Sequence, residues 1–261
     1  MKPHPVNPVN PVQQKPLMFK GIIFDFNGVL WWDSHLQQLA WPQFAATMRS
    51  APLTEAEMAV HVYGRPNRHT LEYLLGRPIT DDELHRLSEQ KEAIYRRLCL
   101  AQGAAFQLSP GAIELLDFLA GRQIPRTIAT SSGKPNVDFF IEHLRLDRWF
   151  EAAKMVYDDG TRPGKPAPDG YLQAARNLEL RPAECIVVED SLSGIQAARA
   201  AGVGYIIALG PPSTHHDLLE LAGVNEVVVD LSEVTIQQET RFFPGRKKPG
   251  FFAEVTVDKR P

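Results

Sequence analysis

The sequence contains no run of about 18 or more apolar residues, so it offers no transmembrane helix. Its first residues lack the apolar segment of a secretory signal. There is no basic excess: the formal net charge is -3, which makes neither nucleic acid nor an anionic membrane an expected partner. Cysteine is scarce. Cys99 and Cys185 stand far apart, each beside apolar residues, and read as reduced, packed thiols of a cytoplasmic protein.

What is present is enough to build a substantial core. The 261 residues are 44% hydrophobic and 23% charged, which suits one large domain or a core with a smaller insert. Residues 1–17 repeat Val-Asn-Pro, at Val6-Asn7-Pro8 and Val9-Asn10-Pro11, and prolines that dense block helix and central strand alike. This predicts an extended or disordered tail outside the fold. Residues 236–261 form a C-terminal extension. Within it Arg246-Lys247-Lys248 reads as a solvated loop, and 251–257 as an edge strand.

Residues 34–107 read as mainly helical. Leu36, Leu39, Ala40 and Phe44 supply one apolar face. Thr54 with Glu57 forms a capping box, and Thr80 opens another helix with acidic residues in its first turn. Ile94 and Leu98 lie on the apolar stripe of that helix. On either side, at 18–33 and 108–235, apolar strands alternate with amphipathic helices. That pattern predicts an α/β fold with a Rossmann-like, doubly wound, mainly parallel sheet, and with 34–107 inserted as a helical cap.

Ile22-Ile23-Phe24 reads as a buried strand ending at Asp25, followed by Asn27-Gly28. Taken alone this is as consistent with an ordinary Asn-Gly turn as with a catalytic carboxylate. Three further strand ends resemble it: Thr130 with Ser131, the loop carrying Lys165, and Glu189 with Asp190. In a parallel sheet these ends share one edge, where ligands bind. Carboxylates from two strands suit Mg²⁺, and a hydroxyl and a lysine beside them suit a phosphoryl group. Singly, each residue has a plainer reading. Thr130 and Ser131 can cap the next helix, Lys165 can be a solvated loop lysine, and Glu189-Asp190 can cap the helix at 191–201. Jointly, those readings leave the coincidence of four strand ends unexplained.

At this point the sequence resembles the haloacid dehalogenase superfamily of aspartate-nucleophile phosphotransferases, specifically members with a helical cap such as β-phosphoglucomutase and phosphoglycolate phosphatase. Asp25-Phe26-Asn27-Gly28-Val29-Leu30 is similar to the first motif. Thr130 matches the second, Gly164-Lys165-Pro166 the third, and 188–198 the fourth. The resemblance implies that Asp25 attacks phosphorus and becomes an aspartyl phosphate. It implies that Asp25, the backbone carbonyl of Asn27 and Asp190 hold Mg²⁺, with Glu189 as a further ligand or supporting partner. Thr130, Ser131 and Lys165 would bind phosphoryl oxygens. The expected function is Mg²⁺-dependent hydrolysis of small phosphorylated metabolites.

The match breaks at Asn27, where the family carries an aspartate that moves protons. An amide cannot do so, and losing general acid–base help costs on the order of 10²–10⁴ in rate. A restricted phosphatase, a β-phosphoglucomutase-like mutase and a non-catalytic Mg²⁺/phosphometabolite-binding protein are all compatible with this change, the mutase least. Dehalogenase chemistry needs no metal, and Glu189-Asp190 argues against it. Around the cap, Trp31-Trp32 precede Asp33-Ser34, one residue more than the family pattern, and read as hinge packing. The family's histidine a few places on is replaced by the stretch Leu36-Gln37-Gln38. Arg65 and Arg68, in a stretch resembling the family's cap loop, are candidates for a second anionic group of the substrate, or are solvated. His215-His216-Asp217 reads as a helix start rather than a metal cluster.

Overall fold

The structure is a computed structural model that describes residues 19–63 and 65–234. The expectations for the N-terminal repeat, for 246–248 and for the strand at 251–257 lie outside the described residues. Among the described residues six strands form one sheet: β1 (Gly21–Phe24), β2 (Arg126–Gly133), β3 (Val156–Asp158), β4 (Cys185–Glu189), β5 (Tyr205–Leu209) and β6 (Glu226–Val228). Every pairing is parallel, in the order β3-β2-β1-β4-β5-β6. The sheet is wound outward from β1 in both directions, so the winding reverses between β1 and β4. That switch point opens a crevice beyond the carboxyl ends of the two strands.

The helices are α1 (Ser34–Ala45), α2 (Glu55–His61), α3 (Asn67–Leu75), α4 (Asp81–Ala101), α5 (Ala112–Gly121), α6 (Lys134–Leu144), α7 (Asp169–Asn177), α8 (Leu192–Ala200) and α9 (His215–Glu220). Strand side chains alternate between the two faces. Ile22, Phe24, Ile186, Val188, Ile207 and Leu209 join α5 and α6 in one apolar cluster. Ile23, Cys185, Val187, Ile206 and Ala208 join α7 and α8 in the other. Both faces are therefore covered, which is why these strands read as unbroken apolar runs. Cys99 and Cys185 are free and buried. Among the described residues no helix is long and apolar enough to cross a membrane.

Among the described residues the block from α1 to α4 contains helices and no strand. Thr54–Glu57 and Thr80–Glu83 both form complete capping boxes. Where this block leaves and rejoins the sheet, the two chain segments are clamped together. Ser109 Oγ donates to the Val29 carbonyl at 2.6 Å, and Ser109 N to that of Leu30 at 2.9 Å.

Several local expectations change. Leu39 does not share the buried face of α1; it is 50% exposed, and Trp41 is buried beside Leu36, Ala40 and Phe44 instead. The two tryptophans do not pack as a pair. Trp31 is buried edge-on against Phe106, while Trp32 is 41% exposed. β2 continues through Ser131 and Ser132 to Gly133, with a register shift after Ala129, so α6 starts at Lys134 and neither Thr130 nor Ser131 caps it.

Candidate active site

β1 ends at Phe24, and Asp25 follows with its backbone N–H still bonded to the Val188 carbonyl of β4 at 2.9 Å. That bond fixes Asp25 beside Glu189 and Asp190. The ammonium of Lys165, reaching in from the loop after β3, lies 2.7 Å from Asp25 Oδ1 and also donates to Glu189 Oε1. Asp25, Glu189 and Asp190 can each offer one oxygen within 4.8 Å of the others. Hard oxygen donors at that spacing fit a cation such as Mg²⁺.

The three carboxylates are not equivalent. Glu189 is fully buried and both its oxygens are engaged. Oε1 accepts from Lys165 and from Tyr171 Oη at 3.0 Å. Oε2 accepts from Asp190 N at 2.8 Å, Ser191 N at 2.7 Å and Ser191 Oγ at 3.0 Å. Gly194 makes room for this arrangement: a Cβ there would lie 1.5 Å from Glu189 Oε1. Burial pushes the Asp25 carboxyl up to about 7, with Lys165 opposing and Glu189 adding to the rise. Asp190 is pushed up to about 8 by burial and by the neighbouring Glu189 and Asp25 charges. Burial disfavours the Lys165 ammonium, but Asp25 and Glu189 more than reverse that and hold its pKa above the ordinary lysine value.

Asn27 is hydrogen-bonded at both ends of its amide. Its Nδ2 donates to Asp33 Oδ2 at 2.8 Å and to Tyr95 Oη at 3.3 Å, and its Oδ1 accepts from Ser132 Oγ at 2.8 Å. Asp33 is buried, and its carboxyl is raised by that burial against the pull of Tyr95, Gln37 and Asn27.

Thr130 is buried and its Oγ1 accepts the Ser132 N–H at 3.1 Å, whereas Ser131 is exposed. Both border a cleft of about 1180 Å³ that also reaches Asp25, Lys165 and Asp190. Its far wall comes from α1, α3 and α4, including Gln37, Trp41, Asn67 and Lys91. Arg65 and Arg68 border it as well. The Arg68 guanidinium is engaged elsewhere, with the Ile79 carbonyl at 2.7 Å, with Asp81 and with Glu72 at 3.6 Å. Arg65 Nε donates to the Val60 carbonyl at 3.1 Å. His215 bonds the Gly210 carbonyl and His216 faces Glu220, as a helix start and not a metal cluster.

Sequence reasoning brought out Asp25, Lys165, Glu189 and Asp190, which meet. It missed Asp33, Tyr95, Ser132 and Tyr171. The Ser131-Ser132 pair was a usable signal for Ser132, since strand alternation sends neighbouring side chains to opposite faces.

A family model described as haloacid dehalogenase-like hydrolase matches residues 19–202. The chain is 31% identical over 225 residues to hexitol phosphatase A of Escherichia coli, spanning 84% of this chain and 95% of that protein. It is 30% identical over 188 residues to a phosphorylated carbohydrates phosphatase of Thermotoga maritima, spanning 70% and 82%. A solved haloacid dehalogenase hydrolase of family IA, variant 3, from Entamoeba histolytica superposes with a TM-score of 0.78 at 37% identity, covering 84% of this chain and 96% of that one.

Proposed function

We propose, for a chain that belongs to the haloacid dehalogenase-like hydrolases, that it is a phosphatase of small phosphorylated metabolites, phosphorylated sugars first among them, with Asp25 as nucleophile. The observation that carries this is the Lys165 ammonium 2.7 Å from Asp25 Oδ1 at the floor of the cleft. It supports this reading because a fixed positive charge beside the carboxylate offsets repulsion between an anionic nucleophile and an anionic phosphate. The relatives named as sugar and hexitol phosphatases support the substrate class.

In this reading Asp25 and Asp190 hold Mg²⁺ together with the backbone carbonyl of Asn27. Glu189, whose oxygens already accept five hydrogen bonds, supports the site by holding Lys165 and the turn at 190–191. When bound, the metal offsets repulsion between carboxylate and phosphate and stabilises the oxygens in transfer. A carboxylate oxygen of Asp25 attacks phosphorus, and the bond from phosphorus to the substrate oxygen breaks. The departing alkoxide takes a proton from solvent. Water then attacks the aspartyl phosphate, releasing phosphate, a proton and the Asp25 carboxylate. Lys165 and Thr130 bind phosphoryl oxygens, with Ser131 at the mouth of the cleft. Arg65 is the cap arginine retained as a candidate for a second anionic group, because Arg68 is held by Asp81 and Ile79. The helical block 34–107 acts as the cap that closes over the substrate.

Asn27 has no proton to give, so substrates with good leaving groups turn over best, and a mutase cycle with two proton transfers is disfavoured. The test is an assay with Mg²⁺ against p-nitrophenyl phosphate, acetyl phosphate and a panel of sugar phosphates, with Asp25→Ala beside it. Turnover abolished by Asp25→Ala is expected. Turnover that survives Asp25→Ala overturns the nucleophile assignment. Tight Mg²⁺-dependent binding of a sugar phosphate without turnover by the wild type makes the chain a binding protein.

A further inference from the structure

Asp33 lies six residues after Asn27, and the two side chains meet between the nucleophile loop and helices α1 and α4. Asp33 Oδ2 collects three donors: Asn27 Nδ2 at 2.8 Å, Tyr95 Oη at 2.7 Å and Gln37 Nε2 at 3.1 Å. Asn27 Oδ1 collects Ser132 Oγ at 2.8 Å. Asp33 is 2% exposed and Tyr95 is fully buried, so water has little access to these contacts. Gln37 is in turn fixed by Lys91 Nζ, which donates to Gln37 Oε1 at 2.6 Å.

We propose that Asn27 and Asp33 are an exchanged pair: the amide at 27 is matched to a carboxylate at 33, and Asp33 is the positioning residue that aims Asn27 across the floor of the cleft. Hydrogen-bond polarity carries the inference. With two acceptor-only carboxylates, the contact between positions 27 and 33 would join acceptor to acceptor at 2.8 Å in a buried site, which is costly. With the two side chains interchanged, the contact between positions 27 and 33 again joins a donor to an acceptor, and only Gln37 has to change its partner atom. Ser132 donates to Asp at 27, the amide at 33 donates to that same carboxylate, and the Tyr95 hydroxyl rotates to donate to it. Gln37 Nε2, which donates to the same Asp33 Oδ2 as Asn27 does, has to shift to the amide oxygen at 33. The surrounding residues therefore accept one amide and one carboxylate, with Gln37 shifted in the exchanged order, but not two ionised carboxylates. An amide at both positions is an intermediate case, because the carbonyl at 33 still accepts while its NH₂ lacks a matched acceptor.

The inference rests on the phosphatase reading only for its kinetic arm, and its first measurement is independent of turnover. Wild type, Asn27→Asp, Asp33→Asn and the double variant Asn27→Asp/Asp33→Asn are unfolded thermally in EDTA. Asn27→Asp is expected to lower Tm by about 5 °C or more, and Asp33→Asn by less. The double variant is expected above Asn27→Asp, so that the second change rescues the first. Additive losses, or an Asn27→Asp protein as stable as wild type, overturn the pair. If Asn27→Asp does not fold at all, a folded double variant supports the pair and an unfolded one overturns it.

The kinetic arm uses Mg²⁺ and p-nitrophenyl phosphate. Asp33→Asn is expected to lower kcat by about tenfold with KM within about twofold, as for a misaimed group that binds little substrate. The double variant is expected to exceed both single variants in kcat. A change confined to KM, or a double variant slower than either single one, overturns the positioning role. If none of the four proteins turns over any phosphate ester while the Tm rescue appears, the phosphatase reading fails and the exchanged pair stands.

Discussion

Gly28 and Asp190 occupy the same space: a Cβ on Gly28 would lie 1.9 Å from Asp190 Oδ2. Gly28 also has φ +84°, a left-handed conformation that costs a residue with a side chain roughly 1–2 kcal/mol. The turn after Asp25 and the carboxylate after β4 are thus fitted to each other across the switch point of the sheet. Gly28→Ala is expected to displace Asp190 and reduce phosphatase kcat by about 10²-fold or more. The same variant should lose most of the Mg²⁺-induced rise in Tm. A normal Mg²⁺ response would mean that Asp190 does not reach the metal.

Lys165 holds two carboxylates at once, with side-chain exposures of 14% for Lys165, 8% for Asp25 and 0% for Glu189. Removing one member of a buried ionic group leaves uncompensated charge, at a typical cost of about 3–5 kcal/mol. Lys165→Met, which keeps much of the volume, is therefore expected to lower the urea midpoint strongly in EDTA, by a free energy in that range. Mg²⁺ should recover part of the loss, because a cation between Asp25 and Asp190 supplies charge that the lysine no longer does. A variant as stable as wild type in EDTA would show that the pair contributes nothing net.

The thiols are expected to be inert. Burial pushes Cys99 up to about 11 and Cys185 up to about 12, and both side chains lack solvent exposure. The thiolate is the reactive form. Titration with a chromogenic disulfide reagent at pH 8 should find no rapidly reacting thiol in the native protein and two after denaturation. One fast thiol in the native state would refute the packing described for it.

What was legible in the sequence followed local physics. Ile22-Ile23-Phe24 and Ile186-Val187-Val188 are apolar on both faces, so they announce buried parallel strands, and the carboxylates that end them mark the ligand edge. Thr54–Glu57 announces its helix because a capping box closes within four residues, and Thr80 announces the next through the acidic residues of its first turn. What stayed hidden depends on contacts between distant segments. Ser132 meets Asn27 across 105 positions and Tyr95 meets Asp33 across 62, and no periodicity encodes such a pair. Leu39 is exposed and Trp41 buried because burial on α1 follows the side on which α4 packs, which hydropathy alone does not supply. Arg68 looked available because its partners, Asp81 and the Ile79 carbonyl, belong to the next turn of chain.

Mg²⁺ binding and pH should be tightly linked. In the metal-free protein burial raises Asp25 to about 7 and Asp190 to about 8, while an unfolded aspartate titrates near 3.8. Between these values the native state holds protons that the unfolded chain has already released. Stability of the metal-free protein therefore falls as pH rises from about 4 toward about 8, and levels off above that. A cation requires both carboxylates ionised, so it competes with those protons. Mg²⁺ affinity is expected to strengthen from pH 6 to pH 8, and calorimetry in buffers of different ionisation enthalpy should detect proton release on binding at pH 6.5. In thermal unfolding, the gain in Tm from Mg²⁺ should be larger at pH 8 than at pH 6. A gain independent of pH, with no proton released, would place the cation away from Asp25 and Asp190.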